Sequence, residues 1–138
     1  MLRFRYFLSV YEIKDKTVQN NASLPVYFSP AIITPCTFGI FKPSIYVTEA
    51  ALSDEKTFSH VIAHETTHLK HRDNIWAVLR CVALALHWYN PLVWAAAFLS
   101  LRDAELACDE DTIKSIGEEE RLDYGRTLIS LTTKKPMA

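Results

Sequence analysis

Residues 53–70 read SDEKTFSHVIAHETTHLK, and their reading decides the fold. Ser53 offers a capping hydroxyl, Asp54 and Glu55 put negative charge in the first turn, and Phe58, Val61, Ile62 and Leu69 recur at helical spacing. The pattern predicts one helix from about residue 54 to about residue 70. Within it lies His64-Glu65-Thr66-Thr67-His68, an H-E-x-x-H string. Residues four apart share a helix face one turn apart, so both imidazoles can reach a single Zn²⁺ at about 2.0 to 2.1 Å. Glu65, next to the first of them, is placed to take a proton from a water at the metal rather than to bind the metal.

Working outward, residues 24–47 hold four prolines and one glycine around two short β-rich pieces, 25–29 and 44–48, which predicts a small sheet. The first fourteen residues fit an alternating strand (Leu2, Phe4, Tyr6, Leu8, Val10) and one face of a helix (Phe4, Phe7, Leu8, Tyr11) equally well. On the C-terminal side an apolar segment covers 75–86. Asn90-Pro91 then has the cap-plus-first-position signature of a third helix running toward Ile116, with Gly117 as its stop. A last short helix over 118–131 is expected to carry Leu122, Leu128 and Ile129 inward. The fold class is therefore α+β, mainly helical, with a small sheet in the N-terminal half. Its boundaries are an N-terminal segment of residues 1–23, juxtamembrane in character, a domain over 24–131 and a tail over 132–138.

A catalytic zinc site uses three protein ligands and keeps one position open, so a third ligand must come from elsewhere. Glu105, in Arg102-Asp103-Ala104-Glu105-Leu106-Ala107-Cys108-Asp109-Glu110, lies deep in the third helix beside small and apolar residues and is the best candidate. Asp109, one turn further on the same face, can accept the free N–H of a ligand histidine. Asp103, Glu110 and Asp111 read as a solvated face, and Cys108 is the alternative ligand, although thiolate favours closed structural sites. His60 and His71 read as surface or supporting residues, and His87 as a satisfied core histidine.

No formally charged residue occurs from 81 to 101, a run long enough to raise a transmembrane helix. A single crossing would leave His68 and Glu105 on opposite sides of a bilayer. A hairpin of two buried helices turning at Asn90-Pro91 is expected instead. Fifteen basic against sixteen acidic side chains in 138 residues leave a net charge of -1, which argues against a nucleic-acid partner. Cys36, Cys81 and Cys108 are odd in number, widely spaced and without a C-x-x-C pair, which fits a reducing compartment. Arg3 and Arg5 break the apolar N-terminus, so no signal peptide is read.

Several motifs in order resemble the BlaR/MecR-type membrane metallopeptidases, the zinc protease portion of β-lactam-sensing signal transducers. They are Ser29-Pro30, residues 34–47 (TPCTFGIFKPSIYV), residues 62–68 with Arg72-Asp73-Asn74, residues 85–94 (ALHWYNPLVW) and residues 102–110. The resemblance covers about 27–130. It implies a zincin-like domain of gluzincin type at the cytoplasmic face of the cell membrane, with His64, His68 and Glu105 matching the metal ligands and Glu65 the general base. It also implies cleavage of a cytoplasmic transcriptional repressor, or of the protein itself, after an external signal. The chain departs from that pattern in lacking flanking membrane spans and a penicillin-binding sensor, and in having Cys36 where a bulky apolar residue is usual. An excised segment of an integral membrane protein is the expectation.

The chemistry expected is peptide-bond hydrolysis, with substrate laid as an added strand along the edge contributed by residues 38–47. His87 and Tyr89 would assist only if the hairpin brings them near. Two rivals are a soluble repressor-cleaving metallopeptidase and a non-catalytic docking module in which Cys108 or His60 closes the zinc site.

Overall fold

The computed structural model describes residues 11–12 and 24–133. Four strands form one sheet: β1 (Tyr11–Glu12), β2 (Val26–Phe28), β3 (Cys36–Phe38) and β4 (Ser44–Val47), in the order β1-β2-β4-β3. β2 and β4 run parallel, while β1 and β3 pair antiparallel with their neighbours. Tyr11 and Glu12 are thus in a strand, and the other residues of the ambiguous N-terminal stretch lie outside the described ones. β4 is buried at every position, as a strand covered on both faces must be. Ile45 and Val47 are fully buried and join Val26, Ala51 and Val61 in the core, with Phe28, Phe58, Ile62 and Leu131 packed against it. Burying each such side chain contributes about 1.5–3 kcal/mol.

The helical part consists of α1 (Glu55–His71), α2 (Asp73–Leu86), α3 (Pro91–Ile116) and α4 (Arg121–Thr133), with 3₁₀ turns at Ala50–Leu52 and Glu118–Glu120. The fold is α+β and mostly helical. The cap of α1 is Asp54 rather than Ser53: its carboxylate accepts from the backbone N–H groups of Lys56 (2.8 Å) and Thr57 (3.1 Å), and a charged acceptor satisfies two orphan donors where a hydroxyl satisfies one. α1 ends at Arg72, a non-glycine residue in the left-handed region (φ 58°), and α2 starts at the next residue. That conformation costs about 1–2 kcal/mol and turns the chain sharply within one residue. Gly117, at φ 107°, stops α3, where an L side chain would be strained.

Two expectations about packing are corrected. In α4, Leu122 (74% exposed) and Ile129 point to solvent, and the inward stripe is Tyr124, Thr127 and Leu131. The phase is set by hydroxyls that find partners on α1 and α3: Thr127 Oγ1 with buried His60 Nδ1 (3.1 Å), and the Tyr124 hydroxyl with half-buried Asp109 (2.7 Å). The hairpin forms, turning between Leu86 and Pro91, but its helices are not buried. α2 contains no buried residue, and in α3 only Cys108 and Thr112 are buried. The apolar side chains of 75–101 outnumber what two helices can hide against one another. No described helix is long and apolar enough to cross a membrane.

Candidate metal centre

α1 and α3 meet along a stripe that the sequence of α3 sets at i, i+3, i+7: Glu105, Cys108 and Thr112. Thr112 Oγ1 donates to Thr67 Oγ1 (3.1 Å), and the Cys108 thiol donates to the carbonyl of His64 (3.5 Å). These small buried contacts let the two backbones approach and bring the next residue of the stripe, Glu105, up to the H-E-x-x-H face. Glu105 Oε2 lies 3.7 Å from His68 Nε2 and 4.0 Å from His64 Nε2, and the two Nε2 atoms are 3.1 Å apart. Contrary to its expected depth, Glu105 is half exposed and approaches the rings from the solvent side.

The outer nitrogens of both rings are committed. His68 Nδ1 is 2.6 Å from Asp73 Oδ2, a carboxylate that can only accept, so the ring carries its proton on Nδ1. Tyr124 gives its hydroxyl proton to Asp109 (2.7 Å), so its oxygen accepts from His64 Nδ1 (2.7 Å), with Asp109 Oδ1 itself 3.3 Å from that nitrogen. With both Nδ1 atoms directed outward, the two Nε2 atoms face one point, where a shared proton or a bound cation relieves their mutual repulsion. Two imidazoles with locked tautomers plus a carboxylate fit a divalent metal of zinc's ligand preference.

The surroundings favour positive charge at this point. Burial alone would push His64 down, but hydrogen bonding to Asp109 and Cys108 outweighs it and lifts the ring to about 10. His68 is likewise pushed down by burial and lifted by Cys108 and Asp73, to about 9. Burial raises the Glu65 carboxyl, against a hydrogen bond from Thr37 and the two nearby imidazoles. Burial also raises the phenol of Tyr124, and its bond to Asp109 adds to the rise. Cys108 moves the other way, its thiol lowered because the hydrogen bonds of both imidazoles exceed the effect of burial.

Glu65 is 6% exposed, and Thr37 Oγ1 on β3 donates to its Oε2 at 2.7 Å, which ties the end strand of the sheet to the carboxylate. Cys108 is a second candidate for the third ligand: His64, His68 and Cys108 each offer one atom within 4.8 Å of the others. Its sulfur, however, lies 3.8 Å from His64 Nδ1, the nitrogen facing away from His68.

The remaining histidines are dispersed. His60 is buried rather than superficial and bonds Thr127 on α4, away from the paired rings. His71 pairs with Asp111 (2.9 Å). His87 is exposed, not in the core, because it sits at the tip of the hairpin and reaches only the Ala83 carbonyl (3.2 Å). Tyr89 is 69% exposed at the same tip. Sequence reasoning missed three supporting residues. Asp73 and Thr37 lie inside motifs that stood out as strings without a role, and Tyr124 left no signal at all.

A family model described as BlaR1 peptidase M56 matches residues 8–138. Regulatory protein BlaR1 of Bacillus licheniformis is 26% identical over 129 residues, covering 93% of this chain and 22% of that protein. The methicillin resistance mecR1 proteins of Staphylococcus aureus and Staphylococcus epidermidis are each 25% identical over 114 residues, covering 81% of this chain and 20% of theirs. The chain thus spans about a fifth of the length of these curated relatives. With nearly its whole length matched, the chain belongs to the BlaR1 peptidase M56 family, a family of metallopeptidases.

Proposed function

We propose that residues 24–131 form the zinc endopeptidase unit, zincin-like and of gluzincin type, of a membrane signal transducer. It hydrolyses a peptide bond in a cytoplasmic transcriptional repressor or in itself, at the cytoplasmic face of the cell membrane. The full-length protein is integral to that membrane through helices flanking this unit. The observation that carries the catalytic reading is the convergence of the two Nε2 atoms, 3.1 Å apart, with Glu105 on their solvent side and Glu65 beside them.

In this reading His64, His68 and Glu105 hold Zn²⁺, which when bound supplies Lewis acidity to a carbonyl and to water. Glu65 accepts the proton of the attacking water and returns it to the leaving amine, while Thr37 holds the carboxylate through Oε2. Asp73, and Asp109 through Tyr124, keep both rings in the ligating tautomer. β4, in the stretch 38–47 expected to offer the substrate edge, is paired on both sides, so the edge nearest Glu65 is β3, and a substrate segment added along it as a strand would run past Glu65.

The test is Glu65→Gln. It should retain zinc and lose cleavage of quenched fluorogenic peptides and of the chain itself; unchanged cleavage would overturn the base assignment. A second reading rests on Cys108, whose sulfur lies within reach of both histidines: a closed His64-His68-Cys108 zinc site that only holds helices together. Cys108→Ala retains zinc in the peptidase reading and loses it in the closed one.

A further inference from the structure

The hairpin formed by α2 and the first half of α3 has a surface suited to hydrocarbon. Leu86, Trp88, Tyr89, Leu92 and Phe98 are each between 67% and 76% exposed. In α3 the apolar residues surround the helix: Leu92 and Trp94, or Leu99 and Leu101, stand two positions apart and so face opposite ways. A protein groove would cover one side of such a helix, whereas lipid covers all sides.

Several polar groups of the turn at the tip are bonded internally, which lowers the cost of backbone entering lipid. Asn90 N–H donates to the His87 carbonyl (2.9 Å), Val93 N–H to the Asn90 carbonyl (3.1 Å), and Leu92 N–H to the Asn90 side chain (3.0 Å). The Trp94 indole N–H donates to the Trp88 carbonyl (2.9 Å).

Charge returns at one level on both arms. Arg80 reaches Ser100 across the hairpin (3.5 Å), and Arg102 follows two residues later, so two guanidinium groups bracket the uncharged run. From that level to the tip is roughly 10–15 Å at 1.5 Å per residue, about the depth of one leaflet's hydrocarbon.

We propose that this hairpin inserts from one side into the leaflet of a bilayer rich in anionic phospholipid, with Arg80 and Arg102 at the phosphates. Glu105 lies one helical turn beyond Arg102, so insertion sets the metal centre about 5 Å above the headgroup plane. The zinc peptidase proposed above would then work on chain held close to that surface.

The three tryptophans of the chain, Trp76, Trp88 and Trp94, all lie in the hairpin, so intrinsic fluorescence reads it directly. The chain is mixed with vesicles of phosphatidylglycerol and phosphatidylethanolamine carrying bromine along the acyl chains. A blue-shifted emission is expected, with Trp88 and Trp94 (in Trp76→Phe) quenched at least twofold more by deep bromines than Trp76 (in W88F/W94F). Leu92→Glu should weaken vesicle binding about a hundredfold, as a charge inside hydrocarbon does. Arg80→Glu with Arg102→Glu should weaken it on anionic vesicles but not on phosphatidylcholine; Leu92 and Arg102 are exposed and Arg80 is half-buried, and an unchanged far-UV circular dichroism spectrum is expected of both variants. Unquenched tryptophans would overturn the proposal. So would a blue shift without lipid that grows with protein concentration, which marks a second copy as the occupant. Glu65→Gln leaves vesicle binding unchanged, so failure of the peptidase reading and failure of this one are separable.

Discussion

The half of the molecule built from the sheet, α1, α4 and the second half of α3, and the half built from the helical hairpin spend their side chains in opposite ways. In the first, buried His60, Thr67, Thr112 and Thr127 pair with one another or with backbone, and Glu65 accepts from the Thr37 hydroxyl. Aliphatic Ile45 and Val47 are fully hidden. In the second, large apolar residues stand exposed, and the side-chain polar contacts gather at the base of α2, at Arg80 and at the turn. A small domain can thus concentrate its folding energy and its chemistry in one half, leaving the other half's surface for a different solvent.

The largest effect should come from Glu65→Gln in the first region, with at least a thousandfold loss of peptide hydrolysis and intact metal content by elemental analysis. Trp88→Ala at the hairpin tip should leave hydrolysis of a short peptide in detergent within about twofold. Next, Glu105→Ala should weaken zinc binding by well over a hundredfold in competition with a chromophoric chelator, since a ligand is lost and two imidazoles do not hold the metal alone.

Ile45→Ala should destabilise the fold by about 2–5 kcal/mol in denaturant titration, whereas Leu86→Ala, 67% exposed on α2, should fall within about 0.5 kcal/mol. Equal costs would mean that the hairpin packs on protein after all. Smaller still, Tyr124→Phe should reduce zinc affinity about tenfold, because the phenol oxygen that accepts from His64 Nδ1 is lost while Asp109 remains 3.3 Å away.

How much was legible in the sequence follows the same division. Short-range patterns came through: the helical period around H-E-x-x-H, the Asn90-Pro91 start, the Gly117 stop and the two β-rich pieces all correspond to elements. The contact between Glu105 and the paired rings was reached from the need for a third ligand. What stayed hidden depends on distance along the chain. Tyr124 lies 60 residues from His64 and joins it only because α4 packs its hydroxyl-bearing face on α1, and no local pattern encodes that phase. The burial of 75–101 was misjudged for a related reason. Apolar periodicity says that a surface avoids water, but not whether protein or lipid covers it.

The left-handed conformation of Arg72 has a mechanical consequence. It joins α1 to α2 as a bent arm with almost no slack, and Asp73, the first residue beyond the bend, holds the ring of His68. Asn74 grips the Gly39 carbonyl at 2.8 Å and so fastens the base of the same arm to the loop after β3. Any tilt of the hairpin is therefore levered onto an imidazole at one side and onto the strand beside Glu65 at the other. Torque applied far from the paired rings would alter the alignment of His68 and the seat of Glu65 together.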